Sequence, residues 1–249
     1  MSIDKSTISL IEPMAASLSN IILEVRYGSD VYGTTTSTSD NDIRGIYVPS
    51  INAHLSLNDY NTYQKITGIY DTVLHPIKKY VRLAINSNPS CIEWLFVPDD
   101  KVLYINEAGN LLVENRNLFI TKQVYNRYTG FARSELRRVK EITGRAGQKR
   151  KLLFDLYGYD PKAAMNVLRL LEQGAELLRT GFLSMPRPNK DLLIDIKTGK
   201  LPLERILEYI NNAEKDIEAA YKESKLPDKA DRDMVNSLLV SVITLNDKR

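Results

Sequence analysis

Residues 26–49, R-Y-G-S-D-V-Y-G-T-T-T-S-T-S-D-N-D-I-R-G-I-Y-V-P, link two apolar runs through a polar loop. Just upstream, Ile21, Ile22, Leu23 and Val25 make a short apolar run that reads as a buried strand. Gly28-Ser29 breaks it, and Gly33 follows within one helical turn. Threonines and serines lead on to Ser39-Asp40-Asn41-Asp42, after which Ile43, Ile46, Tyr47 and Val48 restore a strand-like pattern. Alternate side chains of an extended segment share a face, so Asp40 and Asp42 are expected to point the same way. Two carboxylates on one face repel unless a cation sits between them, and a divalent metal is the usual solution. A Gly-Ser turn at a strand end can leave backbone N–H groups for a phosphate. A phosphate cradle beside paired carboxylates points to metal-assisted phosphoryl or nucleotidyl transfer.

Each part has a plainer reading. Asp-x-Asp in a polar loop is also a solvated turn, and Gly-Ser is also an ordinary one. The ordered combination is more specific. Gly28-Ser29, Tyr32-Gly33-Thr34, Ser39-Asp40, Asp42 and Arg44-Gly45 resemble the signature of the DNA polymerase β-like nucleotidyltransferase superfamily, and most of all its small RNA-ligase-associated, RNA-repair members. Asn88-Pro89 with Glu93, Leu95 and Phe96 resembles a second element of that family, so the likeness spans the first hundred residues. The resemblance implies an NTP substrate, two Mg²⁺ or Mn²⁺ ions, and a third metal carboxylate on a later strand. Asp71, in D-T-V-L before a helical pattern, matches that place. A carboxylate in an apolar strand is costly unless paired, hydrogen-bonded or metal-bound, although a strand-end Asp reads the same way.

Composition bounds the rest. The 249 residues suffice for one two-lobed unit or two small domains, and 43% hydrophobic with 26% charged residues describes an ordinary folded chain. One cysteine, Cys91, leaves no intramolecular disulfide and no Cys-cluster metal site. Two histidines, His54 and His75, exclude a His-rich zinc site, and neither accompanies a nucleophile elbow. No apolar run approaches a membrane span and the N-terminus lacks signal-peptide character, so a cytoplasmic location is the default expectation.

Along the chain, Ser6 to Ser19 reads as a first helix, Ile21–Tyr27 and Asp40–Val48 as strands, and Tyr63–His75 as one further strand interrupted by Asp71. Pro76 opens a helix with Ile77, Tyr80, Val81 and Ala84 at helical spacing. Glu93 reads as a helix-surface residue beside a core Trp, with a supporting place near the metals as the other reading. Asp99 to Asn117 reads as a bridge, and helices dominate beyond it. Tyr128, Ala132, Leu136 and Val139 form an apolar stripe, with Arg133, Arg137 and Lys140 on a neighbouring one. Between Lys122 and Lys151 there are ten Lys or Arg against two Glu, a local balance of +8 in a chain of net charge +3. Such asymmetry points to a polyanion partner, with a solvated helix face and a flexible basic loop, R-A-G-Q-K-R-K, as the plainer reading. Asp160-Pro161 caps a helix striped by Ala164, Leu168, Leu171, Ala175 and Leu178 and ended by Gly181. Related proteins carry Lys, then His, then Arg-Leu-Leu there. Lys162 and Arg169 match as triphosphate contacts, while Asn166 stands at the His position, so no role of that His carries over.

The expectation is therefore an α+β fold. A nucleotidyltransferase core of mixed sheet over 1–120 would be followed by an all-helical nucleotide- and acceptor-binding lobe over 121–249. Asp40, Asp42 and Asp71 are the expected metal and catalytic residues. Gly28, Ser29, Ser39, Lys162 and Arg169 are the expected phosphate contacts, and Arg133, Arg137, Lys140, Lys149, Arg150 and Lys151 the nucleic-acid contacts. The expected reaction moves an NMP to a hydroxyl, foremost on RNA, and releases pyrophosphate. A protein hydroxyl as acceptor, or a non-catalytic nucleic-acid-binding module, are the alternatives.

Overall fold

Strand β1, Ile21–Tyr27, buries Ile22, Leu23, Glu24 and Val25 in succession, the pattern of a strand covered on both faces. The structure is a computed structural model and describes residues 20–37, 39–57, 60–68, 70–140 and 148–247, without the side chains of 53, 140 and 148–151. The helix expected over Ser6 to Ser19 lies outside the described residues. β1 lies inside a five-stranded mixed sheet of order β3 (Tyr63–Thr67), β4 (Tyr70–Pro76), β2 (Asn41–Tyr47), β1, β5 (Val102–Ile105). In it, β2 runs antiparallel to β1 and parallel to β4. Parallel neighbours need a crossover. Helix α2 (Ile51–Leu55) and strand β3 occupy it.

The single strand expected over Tyr63–His75 is two, antiparallel to each other and turned at Gly68, whose φ of 58° suits glycine. This hairpin brings β4 back beside β2 and so positions Asp71. The bridge expected over Asp99–Asn117 is also structured. It holds edge strand β5 (Val102–Ile105), which pairs with β1, and a helix, here α5 (Glu107–Glu114), capped by Asn106 accepting from the Gly109 N–H. A Cβ at Gly109 would lie 2.0 Å from the Ile22 carbonyl oxygen, so glycine lets α5 lie directly on β1.

Between them, α1 (Ser29–Tyr32) follows β1, α3 (Ile77–Ala84) starts at Pro76, and α4 (Pro89–Trp94) is capped by Asn88. The later half is helical: α6 (Gln123–Lys140), α7 (Gln148–Tyr157), α8 (Pro161–Thr180), α9 (Lys190–Lys197), α10 (Leu203–Glu223) and α11 (Arg232–Asp247). Asp160 caps α8 through the Ala163 N–H, and Gly181 ends it with φ 68°. The whole expected stripe of α8, Ala164 to Leu178, is buried, and α6, α9 and α10 pack around it. Of the run R-A-G-Q-K-R-K, whose plainer reading is a flexible basic loop, residues 145–147 lie outside the described residues and the rest begins helix Gln148–Tyr157. The last helix, α11, turns back to pack on α5 and α3 of the sheet half, with Asn106 donating to Asn246. The architecture is α+β, as expected.

Candidate active site

The parallel register of β2 and β4 sets Asp42 directly opposite Asp71. Arg44, two residues along the same face of β2, reaches back between them. One guanidinium nitrogen donates to Asp42 Oδ1 and to Asp71 Oδ2, both at 3.0 Å, and the other donates to the carbonyls of Ile43 and Asp71. Burial pushes the Asp42 carboxyl above its ordinary range. Arg44 pulls it back, Asp71 and Asp40 add to the rise, and Lys162 opposes them. Asp40 lies one residue before β2 and is exposed. Among the described residues no three His, Cys, Asp or Glu side chains converge as a metal cluster would require. The expected carboxylate triad is thus a pair, Asp42 and Asp71, with Asp40 outside it. The pair fits a divalent cation chemically: two hard oxygen donors, aligned across strands and already gathered around one positive group.

Gly28 flanks this pair. Its φ of 68° is left-handed, and a Cβ there would come within 2.4 Å of Asp42 Oδ2. Glycine therefore lets the carboxylate lie directly against the turn, where a side chain would displace it. The next residue, Ser29, begins α1, and the loop after Gly33 returns Ser39 to it. Both hydroxyls accept from one ammonium: Lys197 Nζ donates to Ser29 Oγ at 3.0 Å, Ser39 Oγ at 3.1 Å and the Thr34 carbonyl at 2.7 Å. Lys197 is the last residue of α9, a helix docked on the signature through the Arg187 N–H to the Tyr32 carbonyl. No local sequence pattern marks a lysine that meets a loop more than 150 residues away.

Helix α8 divides the two residues expected to touch phosphate. Lys162, in its first turn, is exposed and lies close enough to act on Asp42. Arg169, two turns on, is 7% exposed and differently engaged. Its guanidinium donates to Glu93 Oε1 at 2.6 Å and Gln173 Oε1 at 2.8 Å, and it lies 3.9 Å from the centre of the Tyr32 ring. The other oxygen of Glu93 accepts from the hydroxyls of Tyr27 and Tyr32. Glu93 is thus a buried hub and not the helix-surface residue expected. Arg169 serves that hub, and its side chain is not placed to reach a phosphate. Asn166 is half-buried on the same helix. Arg133 and Arg137 are exposed on α6, while the side chains of Lys140, Lys149, Arg150 and Lys151 lie outside the described residues.

The chain is 28% identical over 125 residues to an uncharacterized 38.9 kDa protein of Enterobacteria phage T4, encoded in the nrdC-mobD intergenic region. That match covers 46% of this chain and 37% of the phage protein, so the chain spans well under half of its relative. Among solved structures, spectinomycin adenyltransferase AAD(9) from Enterococcus faecialis, with ATP and spectinomycin, has a TM-score of 0.37 at 12% identity, covering 98% of this chain and 99% of that one. A nucleotidyltransferase-like protein from Exiguobacterium sibiricum has a TM-score of 0.33 at 12% identity, covering 89% and 75%. Both scores are too low to carry a substrate across. No described helix is long and apolar enough to cross a membrane. The model of the RNA repair pathway DNA polymerase beta family, RlaP, matches residues 5–241, nearly the whole chain, and the chain therefore belongs to that family.

Proposed function

We propose that the protein transfers an NMP from an NTP to a hydroxyl of RNA, with pyrophosphate as the leaving group. The observation that carries this reading is the convergence of Asp42 and Asp71 against the Gly28–Ser29 turn, whose Ser29 hydroxyl Lys197 reaches. Ser29 and Ser39 hydroxyls and the Lys197 ammonium form a polar, cationic wall that suits the β- and γ-phosphates. Lys162, exposed and close enough to act on Asp42, suits the α-phosphate or the acceptor. Asp42 and Asp71 would hold a divalent ion, Mg²⁺ or Mn²⁺, with Arg44 shifting away as the ion replaces its charge. When bound, the ion neutralises triphosphate charge and lowers the pKa of the acceptor hydroxyl. A second ion would draw on Asp40, which must turn in from its exposed position.

The acceptor oxygen then forms a bond to the α-phosphorus as the bond from that phosphorus to the bridging oxygen breaks. The hydroxyl proton passes to solvent, and pyrophosphate carries away the electron pair. RNA as acceptor draws support from the family description and from the basic run between Lys122 and Lys151.

The test incubates the protein with each α-labelled NTP, Mg²⁺ and either total RNA or a cell lysate. Label entering RNA with one preferred base is expected, and label entering only protein would overturn the RNA reading. Asp71→Asn should lower turnover on the order of a hundredfold, because metal-assisted activation of the nucleophile is lost. Mg²⁺-NTP binding, followed by calorimetry, should weaken much less than in Asp42→Asn. Transfer at the wild-type rate in Asp71→Asn would remove Asp71 from the site.

A further inference from the structure

Helix α6 has an inner and an outer side, and the inner side is fully explained. Val124, Tyr128, Ala132 and Val139 are buried, and the helix packs along α8 and α10. The outer side is not explained by the fold. Arg127, Gly130, Phe131, Ser134 and Arg137 are all exposed, at spacings of three and four that form one stripe, with Arg133 at its margin. Arg138 is paired with Glu135 at 2.6 Å, whereas Arg127, Arg133 and Arg137 make no ion pair among the described residues. Phe131 is 42% exposed among these cations. One exposed aromatic alone is unremarkable. Gly130 is harder to dismiss. Glycine is among the worst residues for a helix interior, and a Cβ added there meets nothing within 4 Å, so no contact inside the protein requires it.

We propose that this face is a track for an unpaired RNA strand, with a base stacked on Phe131, phosphates on Arg127, Arg133 and Arg137, and the strand laid close over Gly130. The occupant follows from charge and shape. Three uncompensated guanidiniums favour a polyanion, and an aromatic ring set among them offers a platform that only an unpaired base can use. Arg127 and Arg137 are about 15 Å apart along the axis, room for several backbone phosphates. The track also leads towards the chemistry. The end of α6 meets the start of α8, where the Asp160 N–H donates to the Val139 carbonyl at 3.1 Å, and Lys162 near Asp42 follows two residues later. The inference rests on RNA as the acceptor and specifies its form.

The test measures binding of a labelled unpaired RNA oligonucleotide and of an RNA duplex of equal length. Wild type should prefer the unpaired strand. Phe131→Ala should weaken that binding about tenfold, the scale of one base–aromatic stack, without changing its salt slope, and Phe131→Tyr should restore it. Arg133→Gln with Arg137→Gln should instead flatten the slope by about 0.7 for each phosphate no longer neutralised. Gly130→Leu should melt no lower than wild type yet bind RNA more weakly, a divergence that a structural role would not produce. Wild-type affinity in Phe131→Ala or Gly130→Leu, or equal affinity for duplex, overturns the track. Label transfer to RNA is scored separately. RNA labelling with binding indifferent to Phe131 leaves the acceptor standing and removes the track. Phe131-dependent binding without labelling does the reverse.

Discussion

Gly28 has two constraints on it that no other residue type meets together. Its backbone is left-handed, and the place of its missing side chain is occupied to 2.4 Å by Asp42 Oδ2. Gly28→Ala should cost about 1 kcal/mol in backbone strain and displace the Asp42 carboxylate. Misplacing a catalytic group by about 1 Å can cost roughly a hundredfold in rate, so turnover should fall by that order while melting drops by only a few degrees. Near-normal turnover with a lowered melting point would show that the carboxylate tolerates the shift. His75 offers a different test. Burial, with Lys79 and Arg44 nearby, holds its imidazole down to about 4, stacked on Trp94 and hydrogen-bonded to Thr62. The folded pKa lies below the unfolded one of about 6.5, so the unfolded chain takes up the proton first. The stability contributed by neutral His75 is therefore complete above about pH 6.5 and is lost as pH falls towards 4. His75→Gln should flatten the fall of melting temperature across that window, and an unchanged profile would remove His75 as its cause.

The elements meet through one buried polar hub. Glu93 on α4 takes Tyr27 from β1, Tyr32 from α1 and Arg169 from α8, and so ties the strand and turn that carry Gly28 to the central helix. Desolvation raises both tyrosine hydroxyls well above their ordinary values, with the Glu93 charge adding to the effect. They donate to Glu93 as neutral groups. Removing one member leaves a buried charge behind, so Arg169→Met should destabilise by about 3–5 kcal/mol. Arg169→Met with Glu93→Gln should cost clearly less than the two single changes together, and simple additivity in denaturant melts would mean that the pair is not coupled. Parts of this element arrangement are legible in the chain. Gly28-Ser29, Asp42 and the stripe of α8 announce themselves because turn chemistry and helical periodicity are local. The hub is not legible: Glu93 beside Trp94 looks like a surface residue until α8 covers it.

At the level of the molecule, long-range ties cross the boundary expected near residue 120, among them Glu93 with Arg169, Ser29 with Lys197, Tyr32 with Arg187, and α5 with α11. Helix α11 buries Val235, Leu238, Val242 and Ile243 and packs against the sheet half, although it closes the chain. The protein should therefore unfold in one calorimetric transition, and a fragment ending at residue 120 should lack a cooperative melt. Two resolved transitions would show that the two lobes fold independently. The order of elements around the signature, the α+β class and the Gly28-Ser29 turn could be read from the chain, since turn chemistry and periodicity depend on neighbours within a few residues. The hairpin that aligns Asp71 with Asp42, the Arg44 bridge between them, the separation of Asp40, the burial of Arg169 and the arrival of Lys197 could not. Each of those depends on which distant segments pack together, and packing selects among side chains that sequence alone leaves equivalent: Lys162 and Arg169 share one helix, but only the first remains at the carboxylates.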